Sequence, residues 1–231
     1  MSATSSPALN AALRAIMMPN LIGLTGAAGA GKDSAAAVLQ RAGWRTLAFA
    51  DSLRVECTEA WAIDMRLFAD RNSKDKTTPQ LKAGACQHAD FLRWCAYLGI
   101  SVYEPRSPRW VMQNWGTYRR SGDPMYWVTQ VEHWIRYQRS TGNVRLAITD
   151  VRLPNEAAML RSAGASIVRV HRPELPALDA STAGHESEQH HQLPVDAEIH
   201  NDGDLQHLAA EVARVLQQLA DRSANLEPTH G

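Results

Sequence analysis

The sequence predicts an α/β fold, a mostly parallel sheet flanked by helices and opened in its middle by an inserted helical lobe. Three observations predict it. Apolar runs of strand length alternate with segments of helical periodicity near both ends of the chain, the pattern of a sheet whose faces are covered by helices. The first such run, Leu21-Ile22-Gly23-Leu24-Thr25, leads directly into a glycine-rich turn and a helix. All fifteen aromatic residues lie between Trp44 and Tyr137, and the mostly helical stretch over about 51–140 is too long for a plain crossover between strands.

Taken in order, Leu21–Leu24 reads as a buried first strand and Asp33–Arg41 as the helix after it. Trp44–Phe49 alternates enough for a second strand. Asp51 is then placed to cap a helix through Leu53, Val55, Cys57 and Trp61. Apolar residues recur at helical spacing in Phe91–Leu98, and again in Tyr126–Tyr137. Packing among these helices accounts for most of the aromatics, leaving one or two to stack on a base. Strand and helix alternate again in Val144–Thr149, Asn155–Ala163 and Ser166–His171. A segment rich in Pro, Ala and Ser runs from Arg172 to Pro194, Ala197–His200 forms a last strand, and Leu205–Leu219 a closing amphipathic helix. Residues 1–18 read as a loosely held extension with a short helix over Ala8–Met17, and Ser223–Gly231 as a frayed tail.

Composition narrows the function. The 231 residues suit one α/β domain, here 19–231. Lys+Arg and Asp+Glu balance at 24 each, against a protein that coats a nucleic-acid polymer, which would carry a basic excess. Cys57, Cys86 and Cys95 have no C-x-x-C spacing, so buried thiols in a reducing cytoplasm are expected. The nine histidines are too scattered for a zinc site. No apolar run reaches membrane-spanning length, and the N-terminal stretch lacks the apolar core of a secretory signal. A cytoplasmic location is the expectation. A homodimer stays open, since an aromatic lobe can serve as a core or as a subunit face.

Two motifs carry chemistry. Gly26-Ala27-Ala28-Gly29-Ala30-Gly31-Lys32-Asp33-Ser34 fits the phosphate-loop pattern G-x-x-x-x-G-K, with Asp33 where Ser or Thr is usual. Such a loop curls its backbone N–H groups around a polyphosphate, Lys32 reaches the β/γ-phosphates, and the next helix offers its N-terminus to the anion. That predicts nucleoside triphosphate binding. In Ile148-Thr149-Asp150-Val151-Arg152-Leu153-Pro154-Asn155-Glu156, Asp150 ends a strand where phosphate-loop proteins hold Mg²⁺, or else caps the following helix. Arg152 would point into the crevice at the strand ends. A weaker signal, Trp115-Gly116-Thr117-Tyr118-Arg119-Arg120 with Tyr126-Trp127, could grip a second phosphate and stack on a base.

Together these residues resemble the phage-type deoxynucleoside monophosphate kinases, a branch of the P-loop nucleotide kinases. The resemblance adds Phe49-Ala50-Asp51-Ser52-Leu53-Arg54, His185-Glu186-Ser187-Glu188 and Asn201-Asp202-Gly203, and runs in order from Leu21 to Leu219. Its specific part is the Gly-Lys-Asp loop paired with Asp-Val-Arg-x-Pro-Asn-Glu. It implies a phage or prophage enzyme with a nucleotide-kinase sheet, a substrate-binding insert over about 51–140 and a lid over about 172–196. It implies ATP and Mg²⁺ as cofactors and a deoxynucleoside monophosphate as acceptor. Lys32 and the loop amides would hold the donor phosphates, with Ser34 reaching the α-phosphate. Asp33 and Asp150 would serve the metal. Asp51, Arg54, Arg119, Arg120, Tyr126, Trp127 and Arg152 would bind the acceptor, and Arg172 would act from the lid. Tyr118 stands where this family often has an acid after the Thr, so the choice between Arg119 and Arg120 is left open. His185, Ser187 and Glu188 receive no role, and Lys74 and Lys76 read as a solvated face. Two alternatives stand: a kinase of another phosphorylated small molecule, as in animal phosphomevalonate kinase, and a P-loop ATPase with no acceptor.

Overall fold

The computed structural model of the chain describes residues 19–70, 72–173 and 191–226. The expected extension over 1–18, most of the expected lid and the last residues of the tail lie outside them. The described residues divide into two units, one of Phe49–Val131 and one of the described residues before and after that stretch.

The first unit is built on five parallel strands: β1 (Leu21–Thr25), β2 (Arg45–Ala48), β3 (Leu146–Thr149), β4 (Ser166–His171) and β5 (Ala197–His200), in the order β2-β3-β1-β4-β5. β1 lies between β3 and β4, with Leu21 opposite Leu146 and Ile22 opposite Ser166. Every residue of β1 is buried, which is why it reads as a continuous apolar run rather than an alternating one. Helix α1 (Lys32–Arg41) follows β1. On one face of the sheet Leu39 of α1 joins Ile22, Leu24, Val168, Val170 and Ile199 in a single core, closed by Leu208, Val212, Val215 and Leu219. Those four share one side of the closing helix (Leu205–Leu226), which continues a further two turns beyond its expected end at Leu219. On the other face Gly23 is packed closely, since a Cβ there would come within 2.9–3.1 Å of Ile167, Leu160 and Val151.

In the second unit α2 (Phe49–Trp61) starts directly off β2, so Phe49 is helical and Asp51 lies inside the first turn instead of at the cap. A short helix α3 (Arg66–Ala69) and two 3₁₀ turns, Pro79–Leu81 and Ala83–Ala85, lead to α4 (Ala89–Tyr97). Helix α5 (Pro108–Gly122) is capped by the Ser107 hydroxyl, which accepts from the Trp110 N–H, with Pro108 in its first turn. Helix α6 (Tyr126–Ser140) contains the unit boundary. The core is aromatic: Trp61, Phe91 and Trp115 meet pairwise with centroids 5.3–5.7 Å apart, in the edge-on and tilted contacts favoured by ring quadrupoles. Cys57, Cys86 and Cys95 are free and buried as expected. Burial pushes the Cys57 thiol well above its ordinary range and that of Cys86 up to about 11, so neither is a thiolate near neutral pH.

Candidate active site

The phosphate loop leaves β1 through Gly26, whose φ is +141°. A Cβ at Gly26 would sit 2.3 Å from the Val170 carbonyl oxygen, so both the dihedral and the neighbouring strand require glycine. The loop ends at Gly31, φ +97°, which caps α1 with no side chain of its own. Lys32 opens α1 and is buried. Its ammonium donates to the carbonyls of Gly26 at 2.8 Å and Ala27 at 2.9 Å, tying the last turn of the loop back to its start. It also lies 3.6 Å from Asp150 Oδ1. A buried ammonium is tolerable only with such partners. Asp33 is exposed in the first turn of the helix and Ser34 is half-buried behind it.

Because β3 neighbours β1, Asp150 emerges beside this loop at the carboxyl edge of the sheet, where ligands of such sheets bind. Its φ is +61°, a left-handed conformation uncommon outside glycine and found at sites where the surroundings impose it. Two anchors hold the turn: the buried Thr25 hydroxyl donates to the Val151 carbonyl at 2.7 Å, and the Val151 N–H donates to Leu24 O at 3.0 Å. Helix α7 (Pro154–Ser162) has Leu153 as its cap residue. The buried Glu156 carboxylate accepts from the N–H groups of Leu153 at 3.1 Å and Arg152 at 2.8 Å. Glu156, then, satisfies the helix start, and Asp150 is not the cap. The Arg152 guanidinium comes back to within 3.5 Å of Asp150, so one carboxylate sits between two cations. Arg172 is exposed just beyond β4, while His185, Ser187 and Glu188 lie outside the described residues.

The second unit carries its own polar cluster. Glu56, on α2, accepts from Trp115 Nε1 and Arg119 Nε at 2.9 Å each and from the Tyr126 hydroxyl at 2.5 Å. Arg119 in turn lies over the rings of Trp115, 4.8 Å from the centroid, and Tyr126, at 5.0 Å, the geometry of cation–π attraction. Burial and the Glu56 carboxylate together raise the Tyr126 pKa, so its hydroxyl remains a donor. Trp127 is buried, with its indole N–H donating to the Gly116 carbonyl at 3.3 Å. Arg120 faces elsewhere: a Cβ on Gly116 would meet its guanidinium at 3.5 Å and Leu53 at 3.8 Å. Asp51 and Arg54 pair on α2, 2.5 Å apart. Glu56→Ala is expected to destabilise the protein by about 2–3 kcal/mol, because it strands three donors, one of them charged. Urea unfolding of the two variants checks this, with Glu56→Gln costing less because an acceptor oxygen remains.

Sequence reasoning therefore found Lys32, Asp33, Asp150 and Arg152 on one edge of the first unit. It named Arg119, Arg120, Tyr126 and Trp127 without Glu56, the group that organises three of their neighbourhood's donors. It quoted Glu156 and Asn201 only as parts of motifs. Asn201 donates from Nδ2 to the Ala30 carbonyl at 2.9 Å, a contact across 171 positions that no local pattern announces.

Residues 77–212, more than half of the chain, match the family model described as deoxynucleotide monophosphate kinase. No curated protein matches the chain. Among solved structures it is similar to TT1252 from Thermus thermophilus, 16% identical over 87% of this chain and 98% of that one, with a TM-score of 0.48. It is also similar to a dephospho-CoA kinase from Campylobacter jejuni, 12% identical over 89% of this chain and 99% of that one, with a TM-score of 0.46. The family match begins beyond the phosphate loop, so the loop and the match are separate observations. The chain belongs to the deoxynucleotide monophosphate kinases, phosphotransferases that act on nucleoside monophosphates.

Proposed function

We propose that this chain transfers the γ-phosphoryl group of ATP to the phosphate of a deoxynucleoside 5′-monophosphate, yielding ADP and the deoxynucleoside diphosphate. The bond from the γ-phosphorus to the β,γ-bridging oxygen breaks, and an acceptor phosphate oxygen takes its place. The observation that carries the reading is the buried Lys32 ammonium, set on a glycine-rich phosphate loop beside Asp150. Phosphoryl transfer asks little covalent chemistry of a protein, so positioning and charge neutralisation supply most of the rate. In this reading the amides of Gly26–Ser34 and the Lys32 ammonium hold the donor phosphates, and Arg152 offsets charge on the transferred group. Arg172 is proposed as the cation of a lid that excludes water.

Asp33 and Asp150 offer hard carboxylate oxygens, and the described residues contain no cluster of three or more metal-ligating side chains. That donor set suits Mg²⁺, which binds through one or two carboxylates and keeps waters and substrate phosphates as its other ligands. When bound with ATP, Mg²⁺ would neutralise the β- and γ-phosphate oxygens.

For the acceptor, the tie between Arg119 and Glu56 supports a positioning role for Arg119; Arg120, with Arg54 and Asp51 on the neighbouring helix, is proposed to bind the phosphate. Trp127, buried and bonded to Gly116, is proposed to shape this region, and Tyr126 to hold Glu56. Coupled ADP release with a panel of deoxy- and ribonucleoside monophosphates tests the whole reading on the full chain. At least one deoxynucleotide is expected to raise ADP formation far above the ATP-only rate. Arg120→Ala is expected to raise KM for that acceptor by roughly 30-fold or more, the effect of losing a charged phosphate contact, with KM for ATP unchanged. If no monophosphate stimulates ADP formation, the acceptor reading fails and an ATPase is left.

A further inference from the structure

The phosphate loop is held from outside by a residue of the segment after β5, and that contact decides where one of the loop's donors points. Asn201 directly follows β5. Its backbone N–H donates to His171 O at 2.8 Å, and the preceding N–H, of His200, is taken by Glu211 Oε2 at 3.2 Å. Glu211 is itself braced by Arg214 through Nε and Nη2, each at 2.8 Å; these partners hold its carboxyl pKa down to about 2. The backbone carrying Asn201 is thus anchored to both β4 and the closing helix.

From that anchored position, Asn201 Nδ2 donates to Ala30 O at 2.9 Å. In a trans peptide the carbonyl and the following N–H point in opposite directions. Fixing the Ala30 carbonyl towards Asn201 therefore fixes the Gly31 N–H away from it. Gly31 is pressed against the same amide, since a Cβ there would lie 2.2 Å from Asn201 Nδ2. Both the bond and the close approach set one peptide plane, that between Ala30 and Gly31, one residue before Lys32. We propose that Asn201 is a positioning residue for the donor nucleotide: by holding the Ala30–Gly31 peptide, it presets the Gly31 N–H for a triphosphate, so that binding does not have to turn that peptide first. Preorganised donors of this kind raise affinity because the reorientation cost is met on folding rather than on binding.

This inference rests on the loop binding ATP, and its test separates the two. Calorimetric titration of the wild-type full chain with ATP comes first; absence of binding there defeats the nucleotide-binding reading itself. Given wild-type binding, Asn201→Ala is expected to weaken ATP binding roughly tenfold, on the scale of one hydrogen bond, while KM for the acceptor monophosphate stays within about twofold. Asn201→Asp, of the same size but presenting an acceptor to the Ala30 carbonyl, is expected to weaken it further. Asn201→Ser serves if either folds poorly, and amide hydrogen exchange over 26–34 is expected to speed up in whichever variant is soluble. Unchanged ATP affinity in Asn201→Ala overturns the proposal. So does a parallel loss of ATP and acceptor affinity, which would mark a general loosening of the fold.

Discussion

Lys32→Ala is expected to lower kcat by roughly a thousandfold or more, the range seen when one charge-stabilising donor is taken from a preorganised site. Among the described residues Lys32 is the cation bound to the loop itself, through the Gly26 and Ala27 carbonyls. Its removal acts twice. The transferred group loses a full positive charge in surroundings where water screens poorly. Asp150 keeps Arg152 at 3.5 Å but loses Lys32, so net negative charge grows where the triphosphate is proposed to bind. Lys32→Arg is not expected to rescue: a planar fork does not place a compact charge against two carbonyls spaced for an ammonium. Coupled ADP release at saturating ATP measures the effect, and thermal melting of the same variants separates it from unfolding. Retention of more than about a tenth of the wild-type rate would remove Lys32 from the transfer step.

The largest expected loss of stability is at Gly26→Ala. The new Cβ meets Val170 O at 2.3 Å, and that oxygen belongs to β4, whose Val170 is paired with Ile199 of β5. The strand cannot retreat without loosening the sheet. Overpacking of this kind costs about 1–3 kcal/mol and a forced dihedral about as much again, so a total of about 2–6 kcal/mol is expected. For a domain of this size that lowers Tm by roughly 10 °C. Gly164→Ala provides the comparison: its φ is +85° but nothing lies within 4 Å of the added Cβ, so it reports the cost of a positive φ without a collision, about 1 kcal/mol. If the two variants melt together, the collision with β4 contributes nothing and the account of Gly26 is wrong. Gly31→Ala differs from both, because the atom it strikes belongs to the Asn201 side chain, which can swing aside at the expense of its bond to Ala30.

What could be read in the sequence was whatever is local. β1, β4 and β5 were legible because their residues are adjacent in the chain and their apolar character needs no partner to be seen. The loop was legible because its chemistry is written in consecutive residues. Boundaries were less so. Phe49 looks like the end of a strand, but α2 begins there without an intervening turn, and propensity cannot show where two elements abut. Glu56 was illegible for a different reason. Its three partners lie 59 to 70 positions away, and within α2 it is one more acid in a helix. Arg119 is held by the same long-range contact, and the proposed division of roles between Arg119 and Arg120 rests on it. Thr25 and Glu156 make the point again: one was only the last residue of the run before the loop and the other a motif letter, while both brace the turn that carries Asp150.

The left-handed backbone at Asp150 limits what can replace it. Aspartate and asparagine are among the few side chains that tolerate this conformation, because a short polar group can bond locally and has little bulk near the backbone. Glutamate would keep the charge and gain reach, yet it has no comparable tolerance. The length of the acid at this strand end is therefore set by the chain's own path and not only by the distance to whatever it holds. A drift from aspartate to glutamate, ordinarily among the easiest of substitutions, carries here a backbone cost of about 1–2 kcal/mol that the turn between β3 and α7 would have to absorb.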